Sequence, residues 1–180
     1  QYHLTKVQSG DFTTVVVLFG SFLRPVGGVL ADRLGGHRML MLLLGGAALM
    51  MAVVATLPAA PLALAVLAIG MGLLGMGNGS VFQLVPQRFP DRVGIMTGIV
   101  GAAGGLGGFF LPSILGLVKQ KTQSFGIGFA LLAAFMFAGV AALVYLRGVW
   151  QRTWNIDAAQ RAGLLASGGK EAEDVYAAST

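Results

Sequence analysis

The chain has 180 residues, of which 56% are hydrophobic and only 11% charged, with a formal net charge of +5. A soluble domain carries about 25% charged residues, so a chain this poor in charge, with a mean hydropathy of +0.78, reads as a polytopic membrane protein rather than a water-soluble domain. Cysteine is absent, which removes disulfides and thiolate chemistry.

The opening stretch "QYHLTKVQSGD", residues 1–11, is polar and reads as an external loop at the end of a preceding connection. It begins with Gln1, and no charged region or cleavage site precedes an apolar core, so no signal peptide is expected. We expect a piece of a longer chain.

A spanning helix needs about 20 mostly apolar residues. Five segments satisfy this: 12–31, 39–57, 62–85, 93–118 and 126–146. The links "DRLGGHR", "PAAP", "PQRFPDR" and "KQKTQS" are short, so consecutive spans must run antiparallel. The expected fold is an all-α membrane protein, a polytopic helical bundle.

The first span carries one charge, Arg24. It lies about 18 Å along the helix from Phe12 and about 10 Å from Ala31, at 1.5 Å per residue. An arginine at a helix centre costs roughly 2.5–3.5 kcal/mol on insertion scales. It either snorkels to the interface or lines a wet cavity and binds an anion, and no acidic residue in the five spans offers to pair with it. Pro25 follows it and removes a backbone donor, which favours a bend.

The loop after it carries Asp32, Arg33 and Arg38, with Gly28 and Gly35 around them. In the third span Gly72, Gly75, Gly79 and Gln83 share a face, and Asn78 lies on another. Asn78, Ser80 and Gln83 either bridge helices or offer neutral donors to a solute. The fourth span places Gly94, Gly98, Gly101, Gly105, Gly108, Pro112 and Gly116 in one stripe about 80° wide at 100° per residue. Such a stripe serves close helix contact or forms a wall free of side chains, and spacing alone leaves both open.

Beyond the fifth span, Tyr145, Trp150 and Trp154 read as an interfacial aromatic belt. Asn155 is a candidate cap for a short surface helix reaching Ala166, within a tail (149–180) expected to be largely disordered. Arg33, Arg38, Arg88, Arg92, Arg147 and Arg152 fall on one side of the spans, and Lys6, Lys119 and Lys121 on the other. The basic excess predicts the first side to be cytoplasmic, with the C-terminus there. The net positive charge is assigned to those loops and not to nucleic-acid binding.

The loop "GVLADRLGGHR" resembles the signature cytoplasmic loop of the major facilitator superfamily. More narrowly, "FLRPVGGVLADRLGG", "GNGSVFQLVPQRFP" and "GIVGAAGGLGGFFLP", in that order, resemble the NarK-type nitrate/nitrite porters of that superfamily. The resemblance covers the chain up to about Arg147 and implies that the spans are helices eight to twelve, most of a six-helix C-terminal half. It implies a missing N-terminal half (helices one to seven) as partner, with nitrate or nitrite as substrate, the lipid bilayer as surroundings and no cofactor. It also implies substrate-binding roles for Arg24, Gly98, Gly101, Gly104 and Gly105, to which the reading of the third span adds Asn78 as a candidate donor. A gating charge relay is implied for Gly28, Asp32, Arg33, Gly35 and Arg38. The expected location is the cytoplasmic (inner) membrane. A porter for another small anion or organic solute, or a non-transport membrane scaffold, are the competing readings. No nucleophile–base pair or metal cluster in the spans suggests an enzyme.

Overall fold

The computed structural model describes residues 6–165, with side chains from Gly10 onward. It contains seven α-helices and no strand among the described residues. They are α1 (Lys6–Phe22), α2 (Arg24–Leu34), α3 (Gly36–Ala55), α4 (Ala60–Arg88), α5 (Val93–Thr122), α6 (Phe125–Thr153) and α7 (Ile156–Arg161). Five stretches are long and apolar enough to cross a membrane, with α1 and α2 forming the first of them together.

The joint between α1 and α2 falls at Leu23, immediately before Arg24. Pro25 explains it. Its ring has no N–H to give to the Ser21 carbonyl and crowds that oxygen, so the helix is interrupted there. The chain stays close to helical, because Leu23 N–H donates to Phe19 O at 3.2 Å and Gly27 N–H to Leu23 O at 3.0 Å.

The helices overrun the expected spans. The polar stretch before Phe12 is helical from Lys6, and residues 1–5 lie outside the described residues. α5 has 30 residues, about 45 Å at 1.5 Å per residue, and exceeds a hydrocarbon layer of about 30 Å. It ends on Gln123 at φ +56°, and Ser124 then caps α6 by accepting from Gly126 N–H at 3.1 Å.

α4 is the centre of the bundle. α1, α2 and α3 pack on it, α3 also packs along α6, and α5 leans on α6 with only a thin contact to α4. Ala47, Ala48 and Met51 of α3 and Ala133 and Met136 of α6 form one buried cluster. Small residues there let the two backbones approach, the usual device where lipid removes a hydrophobic drive between helices. α5 differs from all of these, since none of its residues is buried.

The segment after the fifth span folds back on the bundle. α6 runs on to Thr153, Asn155 caps α7 by accepting from Asp157 N–H at 3.0 Å, and α7 ends at Arg161. Leu164 N–H donates to Ala159 O at 2.9 Å and Gly163 N–H to Gln160 O at 3.0 Å, with Gly163 at φ +73°. That pair of bonds around a left-handed glycine is a Schellman stop. It turns Leu164 and Leu165 into a buried cluster with Leu84, Trp154, Ala158, Ala159 and Ala162. The expected surface helix to Ala166 is therefore shorter and half-sunk, and residues 166–180 lie outside the described residues. Of the expected aromatic belt, Tyr145 is exposed, whereas Trp154 is buried and stacks on half-buried Trp150 with ring centroids 5.7 Å apart.

Candidate functional site

Arg24 is the first residue of α2 and is exposed. Among the described residues its guanidinium has no hydrogen bond or ion pair. What holds its backbone is glycine. Gly79 of α4 packs against the Arg24 carbonyl, and a methyl there would also come within 3.0 Å of Gly28 N. One turn earlier, a methyl on Gly75 would come 2.7 Å from the Gly20 carbonyl carbon. Gly72 accommodates the side chains of Phe19 and Leu23, and Gly27 sits on the Met76 backbone. The glycine face of α4 is thus a packing surface for the broken first span.

Ser80 completes that seam. It is fully buried, and its hydroxyl reaches Met76 O at 3.1 Å and Gly27 O at 3.3 Å. Of the two readings open for Ser80, bridging is the one its geometry supports. Asn78 is exposed, two residues earlier and next to Gly79, with no hydrogen bond among the described residues. Arg24 and Gly28 therefore meet at one backbone contact with Gly79, and the side chains of Arg24 and Asn78 make no hydrogen bond among the described residues.

The α5 glycines are placed differently. Gly98, Gly101, Gly104 and Gly105 are exposed, and a methyl on any of them would meet no atom within 4 Å. The stripe supports no helix contact among the described residues. It is an open strip of backbone, and it is not brought against Arg24 by contact. Phe109 and Phe110 adjoin it, edge to face at 5.3 Å between ring centroids.

The charged loop sits at the end of the bundle that also holds Arg88, Arg147 and the α7 segment. Asp32, Arg33 and Arg38 are exposed. Asp32 Oδ1 accepts from Gln83 Nε2 at 2.7 Å, which links α2 to α4. No ion pair joins Asp32 to an arginine among the described residues. Of the two readings open for Gln83, bridging is again the one the geometry supports, since its amide nitrogen is committed to Asp32. The face shared with Gly72, Gly75 and Gly79 was the available signal, because those glycines bring α2 within reach. Gly35 closes α2 at φ +89°, and a methyl on it would come 2.5 Å from the Gly163 Cα. Gly28 sits half-buried, 3.8 Å from Gly79 O by the same measure.

The sequence reading missed His37. It is fully buried, edge-on to Trp150 with centroids 5.5 Å apart, and neither ring nitrogen has a hydrogen-bond partner. No group of three metal-ligating side chains occurs among the described residues.

Comparison with known proteins agrees with the resemblance drawn from the three strings. The family profile described as Major Facilitator Superfamily matches residues 1–168. The chain is 36% identical over 151 residues to the "Nitrite extrusion protein" of Bacillus subtilis (strain 168), covering 83% of this chain and 38% of that protein. It is 33% identical over 158 residues to the "Probable nitrate transporter NarT" of Staphylococcus aureus (strain JH9), covering 86% of this chain and 39% of that protein. The Staphylococcus haemolyticus (strain JCSC1435) protein of the same name is 33% identical over 157 residues, covering 85% and 39%. No solved structure matches. The chain thus spans well under half the length of the curated relatives it matches. By the family match and these relatives, the chain belongs to the major facilitator superfamily and, within it, to the NarK-type porters.

Proposed function

We propose that this chain is part of a secondary transporter that moves nitrate, nitrite or both across the cytoplasmic membrane by alternating access. The observation that carries the reading is Arg24: an exposed guanidinium at the break of a membrane helix, with its backbone seated on Gly79 and no acidic partner among the described residues. A planar cation with a fixed fork of donors suits a planar, delocalised oxyanion. Asn78, an exposed amide of α4, is read as a source of neutral donors. The open backbone strip of Gly98, Gly101, Gly104 and Gly105 gives the anion a wall without side chains. The chain's remaining partner is the N-terminal half, which supplies the second side of the cavity. The resemblance to the NarK-type porters implies a second arginine in the N-terminal half; paired with Arg24 it would neutralise the anion without a cofactor, and the chain is read as a transporter rather than an enzyme.

The arginine-rich end is assigned to the cytoplasm, so the C-terminus lies there as well. Asp32, Arg33 and Arg38, with Gly28 and Gly35, form the gating loop at that end. Spans 12–31, 39–57, 62–85, 93–118 and 126–146 contain no Asp, Glu or His. Nitrate/nitrite exchange and nitrate–proton symport are both carried as modes, and the test below separates them.

The test is labelled nitrate and nitrite uptake into vesicles holding the full-length parent or its Arg24→Ala variant. Vesicles are preloaded with nitrite or given an imposed pH gradient. Uptake that disappears in the variant supports the site, and the condition that drives uptake separates exchange from symport. Uptake equal to that of the parent removes Arg24 from the anion path.

A further inference from the structure

The segment after α6 folds back onto the bundle. Two contacts fix it to the junction between α2 and α3, and others fix it to α6 and α4. His37 N–H donates to Ala162 O at 2.9 Å. Gln151 Nε2 donates to Leu164 O at 2.8 Å, and Arg147 reaches the same carbonyl at 3.5 Å. The backbones of Gly35 and Gly163 touch, and both adopt positive φ, +89° and +73°. Leu164 is fully buried in the cluster that also holds Leu84 of α4.

Two of these contacts, those of His37 and Gly35, meet the charged loop. Gly35 and His37 stand inside the loop whose charged residues are Asp32, Arg33 and Arg38. The free N–H of His37 at the start of α3 is one of the donors a helix leaves unsatisfied, and here a carbonyl from a remote segment takes it. The contact of Gly35 with Gly163 admits no side chain on either residue, so the two turns fit in only one relative position. The segment also joins the loop to the ends of α4 and α6. A cavity of about 310 Å³ remains between loop and segment, with Arg33, Arg38 and Arg161 on its wall.

We propose that residues Trp154–Leu165 act as a clasp that positions the Asp32–Arg38 loop for the transport cycle. The clasp residues touch no anion. They act through the loop, by fixing its backbone against α4 and α6 while its charged side chains remain exposed. This rests on the transporter reading and on the gating role of the loop. The clasp itself rests on the backbone contacts above.

The experiment uses the full-length transporter in proteoliposomes, with three variants. Leu164→Ala empties the buried anchor, Leu164→Met refills it with similar volume, and Gly163→Val forces a branched side chain into the Gly35 backbone. Two quantities are read. One is labelled-nitrate transport per mole of protein, separated into KM and turnover. The other is the rate at which a single cysteine at exposed position Leu34 reacts with a membrane-impermeant maleimide, measured without substrate.

Leu164→Ala and Gly163→Val are expected to speed labelling and to slow turnover, each by at least about fivefold, the low end of a coupling free energy. KM should not change, and Leu164→Met should match the parent. A merely structural role would lower the amount of protein in the membrane without changing turnover per mole. Unchanged labelling in both broken variants overturns the clasp, as does faster labelling with normal turnover. A raised KM at normal turnover overturns it too, because it would place these residues at the anion. Where both variants fail to reach the membrane, Gln151→Ala, which removes only the bond to Leu164 O, is read by the same criteria. A parent that moves neither nitrate nor nitrite defeats the transport reading, and the labelling rates still decide whether the segment holds the loop.

Discussion

Gln83 and Asp32 lie 51 positions apart, yet the Gln83 amide nitrogen donates to Asp32 Oδ1 at 2.7 Å. The bond ties the carboxylate of the proposed gating loop to the central helix, and it forms because glycines upstream let α2 and α4 close on each other. It also explains how Asp32 is held without an arginine partner among the described residues. Gln83→Ala should release the carboxylate at a cost of about 1 kcal/mol or less, the usual value for an interhelical hydrogen bond in membranes. Gln83→Glu should cost more, since two carboxylates would then face each other. Thermal unfolding in detergent checks the order, parent above Ala above Glu, and an inverted order would remove the bond from the account.

Arg24 is exposed and unpartnered among the described residues, so its replacement should separate stability from transport. Arg24→Lys should stay within about 0.5 kcal/mol of the parent in stability, as surface substitutions do. The same variant should lose most nitrate uptake, because an ammonium lacks the planar fork. Near-normal uptake by the lysine variant, measured alongside its melting temperature, would mean that only charge matters at this position.

The two sets of glycines should respond oppositely to alanine. Gly75→Ala drives a methyl to 2.7 Å from the Gly20 carbonyl carbon, and overpacking of this kind typically costs 1–3 kcal/mol, about the scale expected here. Gly104→Ala meets nothing within 4 Å and should stabilise α5 by roughly 0.5–1 kcal/mol through helix propensity. If the strip touches the anion, Gly104→Ala should nonetheless reduce uptake. A melting temperature that rises while transport falls is the signature, and equal destabilisation by both substitutions would contradict the open placement of α5.

Ser80 offers a smaller test. Ser80→Ala removes the hydroxyl that reaches Gly27 O and Met76 O but adds no bulk. The expected loss is about 0.6 kcal/mol, near the mean for polar bridges inside membrane proteins. Ser80→Val, which adds a branched side chain at a fully buried position, should cost several times more. Unfolding measured on both variants distinguishes a bridging hydroxyl from a solute contact, since the latter would change transport with little change in stability.

The spans, the lone arginine, the bend at Pro25 and the glycine stripe were legible in the sequence because each rests on local chemistry. Membrane helices announce themselves by length and apolarity. Proline acts on its own turn, and a charge in an apolar run is conspicuous wherever the chain folds. Motif resemblance then reached the family, since short strings of glycine and charge keep their order along the chain.

Tertiary structure decided which glycines pack and which stand open. Gly75 and Gly101 look alike in sequence, and only the position of α1 against α4, with α5 apart, tells them from each other. It also decided the fate of the segment after α6. Alanines, one tryptophan and two leucines between polar residues look like a surface helix running into a tail. Their burial depends on surfaces remote in the chain, at Leu84 and at Gly35 and His37, that no local pattern reveals, although the left-handed glycine that makes the turn is Gly163 itself. Sequence determines what each stretch is able to bury. Which stretch buries it against which is a long-range choice, fixed here by backbone contacts that leave no room for a side chain.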